Sequence, residues 1–272
     1  MAATSVRDAL DSAVVALSAA GVQTPRLDAE VLLAFVLGVD RAALATHPER
    51  GVEPVREFQN AVRRRAFDRE PVAYITGTKG FRHLDLMVDP RVLIPRPETE
   101  TLVEAAIELL PEGARVVDVG TGSGAVALAL KDERPDLQVT GTDVSQDALT
   151  VARANAERLG LDVAFAHADL LAGVGSFDAV VSNPPYVEDG AELAPEIVRH
   201  EPSLALRAGP EGLDVLRLLV PAAAAMGAQL LAVEVGAGQA EAVERLAGEA
   251  GFARAERRPD LAGIERVVVA WR

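Results

Sequence analysis

The chain has 272 residues, 49% of them hydrophobic and 25% charged, with a formal net charge of −14. That balance suits one or two globular domains and lies far from the disordered class, while the excess of acid argues against a broad phosphate-binding surface, which needs clustered Lys and Arg. With no cysteine, and with His47, His83, His167 and His200 far apart, disulfides, a catalytic thiol and thiolate metal sites are excluded, and no metal is expected.

The opening "MAATSVRDALDSAVVALSAA" carries acids and lacks a basic region followed by an unbroken apolar run, and no apolar stretch reaches about 18 residues. A cytoplasmic protein without membrane association is expected. From Ser5 to about Asp68 apolar residues recur at helical spacing: Val6, Ala9, Leu10, Ala13, Val14, Leu17; then Ala29, Leu32, Leu33, Val36, Leu37; then Val55, Phe58, Val62. Residues 1–70 are therefore expected to form a small helical domain. Within it "VRRRAFDR" gathers Arg63, Arg64, Arg65 and Arg69, which read as a solvated helix face in preference to a binding patch.

Residues 71–95, "PVAYITGTKGFRHLDLMVDPRVLIP", change character: alternation, "GTKG" and two prolines predict a hairpin-like connector and no further helix. From 96 to 272 strand and helix signals alternate, from "ARVVDVG" and "GAVALALKDE" to "QLLAVEVG" and "GQAEAVERLAGEA". This is the pattern of βαβ units on a mostly parallel sheet. The last two strand signals, "FARAERRP" and "IERVVVAWR", have no helix between them, so an antiparallel pair is expected at the end of the sheet.

Residues that could hold a ligand cluster at predicted strand ends. "VVDVGTGSGAVALAL" puts Gly120, Gly122 and Gly124 in the first strand-to-helix turn, where missing Cβ atoms let backbone approach a ligand and aim free helix-start N–H groups at it. The spacing also satisfies a relaxed dinucleotide fingerprint, so at this point NAD competes. Asp143 closes the second strand, about 20 residues on, where a carboxylate can accept two ribose hydroxyls. Asp169, in "HADLL" at the end of the third, suits an adenine edge; for both acids a helix N-cap is the alternative.

"SNPPY" follows the fourth strand and falls on the same sheet edge. A planar nitrogen is a poor nucleophile because its lone pair is delocalised, so a site must hold it by its hydrogens. The Asn183 side-chain carbonyl offers one acceptor, and the stiff prolines present the Pro184 carbonyl as another. Tyr186 can pack on a flat substrate group.

The glycine turn, Asp143 and "NPPY" resemble the Rossmann-like S-adenosylmethionine-dependent methyltransferases of planar nitrogens. Together with "LIPRPETE", "EPSLAL" and "DLAGIERVV", they are similar to the HemK/PrmC family over nearly the whole chain. The resemblance implies an α/β Rossmann-like methyltransferase domain, mostly parallel with an antiparallel end strand, preceded by a helical-bundle domain that docks the substrate. It implies S-adenosyl-L-methionine as cofactor and class I peptide chain release factors as protein substrate, methylated on the glutamine of their Gly-Gly-Gln motif. Gly120, Thr121, Gly122, Ser123, Gly124, Asp143, Asp169, Leu170 and Asn183 would hold the cofactor, Leu170 by apolar packing where some relatives carry an aromatic residue. Asn183, Pro184, Pro185 and Tyr186 would form the glutamine pocket, Asn183, Pro184 and Tyr186 serving catalysis. Arg96 and Glu98 would help close the site around the methionine end. The rival is an N6-adenine methyltransferase of nucleic acid; the acidic catalytic half speaks against direct nucleic-acid binding.

Overall fold

A computed structural model describes residues 4–272, and the chain divides into two units. One runs to Gly77 and takes in Leu193–His200; the other comprises Thr78–Glu192 and Glu201–Arg272.

The first unit begins with α1 (Val6–Ala19), α2 (Pro25–Leu37), α3 (Arg41–Thr46), α4 (Val55–Arg63) and α5 (Val72–Thr76). Ser5 and Asp8 form a reciprocal capping box at α1, Pro25 opens α2, and Gly38 closes it in the left-handed conformation. The apolar stripes meet in one core that includes Leu17, Leu32, Leu33 and Phe58. α3 has six residues, too few for a helical period to be visible in sequence. α5 corrects the reading of 71–95 as connector alone. Pro71 precedes the helix and Gly77 ends it at φ 74°, so the first residues of that stretch complete the helical unit.

The second unit opens with the hairpin β1 (Thr78–Phe81) and β2 (Leu84–Met87), then α6 (Thr99–Leu109), β3 (Arg115–Val119), α7 (Ala125–Glu133), β4 (Gln138–Asp143), α8 (Gln146–Leu159), β5 (Ala164–His167) and β6 (Ala179–Ser182). After α9 (Pro195–His200), which belongs to the first unit, come α10 (Asp214–Met226), β7 (Leu230–Glu234), α11 (Ala240–Glu249), β8 (Arg254–Pro259) and β9 (Glu265–Trp271). The seven-stranded sheet runs β5-β4-β3-β6-β7-β9-β8. Its strands are parallel up to β7, and β9 is antiparallel to both β7 and β8. Successive residues pack on opposite faces: Val116 and Val181 join α6 and α7, whereas Val117 and Val180 join α10 and α11. From β3 the chain winds outward to β5, then resumes on the other side at β6. That reversal opens a crevice at the carboxyl ends of β3 and β6.

The arginine run departs from its predicted role. A π-turn at Arg64–Asp68 continues α4, and its wider loop shifts the helical phase, so Arg65 turns inward and is 7% exposed. Its guanidinium pairs with buried Asp28 at 2.6 Å and reaches Glu196 of α9 at 3.3 Å; Arg69 meets the same Glu196 at 2.9 Å and the Ala20 carbonyl at 2.8 Å. Two of the four arginines thus fasten α9 inside the first unit.

Candidate active site

The carboxyl ends of β3, β4 and β6 meet around a cavity of about 250 Å³. Gly120 and Gly122 form one wall, and a side chain built on Gly122 would point into open space from a backbone at φ 56°, a region that favours glycine. Two of the N–H groups at this turn and helix start already have partners inside the fold. The Gly122 N–H donates to Asp143 Oδ2 at 2.9 Å, and the Ala127 N–H to Asp118 Oδ2 at 3.2 Å, because two carboxyl groups lie beside the turn. What the turn offers a ligand is close approach. Thr121, Ser123 and Gly124 do not line the cavity: Thr121 donates to Asp118 at 2.7 Å, the Ser123 carbonyl accepts from Asn155 at 2.9 Å, and Gly124 precedes α7.

Asp143 accepts from Gly122 with one oxygen and from the Ser145 N–H with the other, at 2.9 Å each. The N-cap of α8 is Ser145, so the cap alternative for Asp143 does not hold. Each carboxylate oxygen keeps a further lone pair for a hydroxyl in the cavity. No helix follows Asp169, which is exposed on the cavity rim. Leu170 beside it holds φ 52°, an uncommon conformation for a bulky residue, and with Val144 and Ala168 lines an apolar slot. A carboxylate with spare acceptor sites, a wall without Cβ and an apolar slot together fit a nucleoside, as S-adenosyl-L-methionine requires.

Across the cavity lie Asn183, Pro184 and Pro185. The Ser182 hydroxyl donates to the Val119 carbonyl at 2.6 Å, which ties the tip of β6 to β3. Asn183 Nδ2 donates to Thr99 Oγ1 at 3.0 Å, and among the described residues none donates to Asn183 Oδ1 or the Pro184 carbonyl. Tyr186 takes a different direction from the one expected: its hydroxyl donates to buried Glu234 Oε1 at 3.0 Å, and its ring does not line the cavity. Burial and that carboxylate hold the phenol protonated, well above its ordinary pKa. Arg96 pairs with Glu201 at 2.6 Å, whereas Glu98 is exposed at the start of α6; neither lines the cavity.

Several supporting residues escaped the sequence reading. Glu201 also accepts from the Ile94 N–H at 3.1 Å, so it clips the "LIPR" segment to Pro202 and Leu204, which line the cavity. Gln239 donates to the Tyr186 carbonyl at 3.0 Å and accepts from the Gly236 N–H at 2.8 Å. A Cβ at Gly212 would lie 2.2 Å from that same Tyr186 carbonyl, so only glycine leaves room for the turn. "EPSLAL" was the one sequence signal pointing to any of these.

Comparison with known proteins identifies this arrangement. Residues 8–77 match the PrmC N-terminal domain and residues 98–240 the methyltransferase small domain. A release factor glutamine methyltransferase of Moorella thermoacetica is 44% identical, with 98% of each chain covered. The chain belongs to the release factor glutamine methyltransferase family. Relatives of the same name from Deinococcus radiodurans (47% identical, 81% of each chain) and Mycolicibacterium smegmatis (46%, 81% of this chain and 80% of that one) agree. A methyltransferase of Pyrococcus furiosus, 18% identical with a TM-score of 0.55 over 71% of this chain and 91% of that one, shares the fold. Among the described residues no helix is long and apolar enough to cross a membrane.

This family member carries two buried acids beside its site. Burial pushes Asp118 from 3.8 up to about 7, and Glu234 from 4.5 up to about 7. Both therefore bind protons in the fold at pH values where the unfolded chain has released them. By linkage, stability falls as pH rises from the unfolded pKa values toward 7. Glu234→Gln removes one of these groups; thermal unfolding from about pH 5 to about pH 8 should show a shallower decline in the variant, by on the order of 3 kcal/mol across the window. Parallel curves for the two proteins would contradict the assignment.

Proposed function

We propose that this enzyme transfers a methyl group from S-adenosyl-L-methionine to the side-chain nitrogen (N5) of the glutamine in the Gly-Gly-Gln motif of class I peptide chain release factors. The observation that carries the reading is the pair of unoccupied acceptors, Asn183 Oδ1 and the Pro184 carbonyl, on the same cavity as Asp143 and the glycine turn. The 44% identity across the whole chain to a protein named for this reaction supports it.

When bound, S-adenosyl-L-methionine supplies an electrophilic methyl group on a charged sulfur; the amide nitrogen takes it and gives up one proton. Asp143 would hold the ribose hydroxyls, while Asp169 and the Leu170 slot would receive the adenine. Asn183 Oδ1 and the Pro184 carbonyl would each accept one N–H of the glutamine amide, holding its plane so that the nitrogen lone pair faces the donor. Orientation and proximity of this kind contribute roughly 7–11 kcal/mol in well-aligned systems. No base is needed before attack, because the proton becomes acidic only once the new bond forms, and water can take it.

The test offers radiolabelled S-adenosyl-L-methionine with a release factor, its Gly-Gly-Ala variant, or DNA. Label is expected in the first alone, and peptide mass mapping should place one methyl group on the glutamine. Label on DNA and none on the release factor would refute the proposal.

A further inference from the structure

We infer that Gln239 is a positioning residue: it fixes the far end of the "NPPY" turn and so sets where the Pro184 carbonyl points. The inference rests on the proposed role of Asn183 and Pro184 as acceptors for the substrate amide. Every residue involved belongs to the second unit.

Pro184 and Pro185 have no N–H to tie them to a neighbour, and each ring fixes its own φ and restricts the residue before it to extended backbone. The stretch from Asn183 to Tyr186 is therefore a stiff strut, placed by what holds its two ends. Ser182 is fixed at one end, in β6 between β3 and β7, with its hydroxyl on the Val119 carbonyl at 2.6 Å. At the other end the peptide between Tyr186 and Val187 is held on both edges. Its carbonyl accepts from Gln239 Nε2 at 3.0 Å and its N–H donates to the Leu206 carbonyl at 2.8 Å, while the Tyr186 hydroxyl donates to Glu234 Oε1 at 3.0 Å.

The fold holds Gln239 itself in place. It stands at the N-cap of α11, its Oε1 accepts from the Gly236 N–H at 2.8 Å, and its Nε2 also donates to the Glu211 carbonyl at 3.1 Å. One N–H at its oxygen and two carbonyls at its nitrogen leave the amide a single orientation, since reversal would set oxygen against two oxygens and NH₂ against N–H. A Cβ on Gly212 would come within 2.7 Å of Nε2, and one on Gly236 within 2.8 Å of Oε1, so glycine at both positions makes room for the amide. Gln239 does not line the cavity; its influence reaches the site through Tyr186 and the two prolines.

The test uses steady-state and single-turnover kinetics on the full chain with a release factor as substrate, alongside direct measurement of S-adenosyl-L-methionine binding. Gln239→Glu keeps the shape and the acceptor for Gly236 but sets a carboxylate oxygen against the Tyr186 and Glu211 carbonyls. Its kcat should fall ~10–100-fold while KM for the release factor and cofactor affinity stay within about threefold. Gln239→Met, which removes the hydrogen bonds without adding a charge, should lose kcat over the same range. In an Asn183→Ala background either substitution should cost less than about threefold more, because two acceptors that clamp one amide act as a unit, whereas a general loss of folding would multiply through. Undiminished kcat in both Gln239 variants, cofactor affinity lost in step with kcat, or losses that multiply in the double variants would overturn the inference. Asn183→Ala by itself separates the two ideas. If it loses turnover while the Gln239 variants keep it, only the positioning role fails; if it too keeps full turnover, the reading of the site fails.

Discussion

Asn183→Ala is expected to lower kcat by at least ~10²-fold while S-adenosyl-L-methionine still binds within a few-fold of the parent affinity. The reasoning turns on what each side of the cavity holds. The side proposed for the cofactor is lined by Gly120, Gly122, Asp143 and Leu170, none of which contacts the Asn183 side chain through a hydrogen bond. Truncating Asn183 therefore removes an acceptor for the substrate amide and leaves the nucleoside site standing. A planar nitrogen released from that acceptor samples orientations in which its lone pair misses the donor, and misplacement of about 1 Å is enough to cost ~10²-fold. Asp143→Ala should behave in the opposite sense, with cofactor affinity lost first, because its carboxylate also braces the glycine turn and the start of α8. Titration calorimetry for binding and single-turnover methyl transfer separate the two. An Asn183→Ala enzyme that turns over normally, or one that fails to bind cofactor, would break the assignment of sides.

The second large effect concerns stability. Arg65→Ala leaves the Asp28 carboxylate buried with only the Thr24 hydroxyl, at 2.8 Å, as a neutral partner. Breaking a buried pair from one side costs about 3–5 kcal/mol, because the remaining charge stays desolvated and uncompensated. Removing both charges, with Asp28→Leu and Arg65→Met together, should recover most of that loss, since a well-packed apolar pair avoids the desolvation penalty. Glu196 keeps Arg69 in either case, so α9 stays fastened by one contact. Urea unfolding followed by circular dichroism reads the helices of both units, whereas Trp271, the single Trp, reports from β9 in the second unit alone, so a dichroism shift without a matching fluorescence shift locates the loss in the first unit. The dichroism midpoint should move most in Arg65→Ala. A midpoint within about 0.5 kcal/mol of the parent would mean the pair is as weak as a solvated surface bridge.

Both effects mark the boundary of what could be read from residue order. The glycine turn, Asp143 and Asn183 were legible because each sits where a strand pattern stops and a turn or helix begins, and strand ends in a parallel sheet necessarily share one edge. Their local signals lie within a few residues of the functional atom. The partners were not legible. Thr99 reaches Asn183 across 84 positions, Glu234 meets Tyr186 across 48, Gln239 meets Tyr186 across 53, and Glu201 meets Arg96 across 105. No period or spacing in one sequence encodes such pairings, and each of these residues alone resembles any other surface polar residue.

The arginine run shows the same limit from the other side. Charge composition predicted exposure for "VRRRAFDR", and it holds for Arg63, but the π-turn that rotates Arg65 inward is a tertiary outcome, stabilised by Asp28 and Glu196 from elements far along the chain. Sequence by itself determined the types of the longer elements, the mostly parallel sheet with its antiparallel close, and the convergence of glycine turn, acid and "NPPY" on one edge, because periodicity and turn chemistry are local, whereas the short helices α3 and α5 escaped it. Only the tertiary structure decided which way the polar side chains face: that the Tyr186 phenol turns to Glu234, that Asp143 takes the Gly122 N–H and Asp118 the Ala127 N–H, and that Asn183 meets Thr99 with its NH₂. A side chain's direction depends on which acceptor or donor the fold brings within about 3 Å, and that distance exists only once the chain has closed on itself.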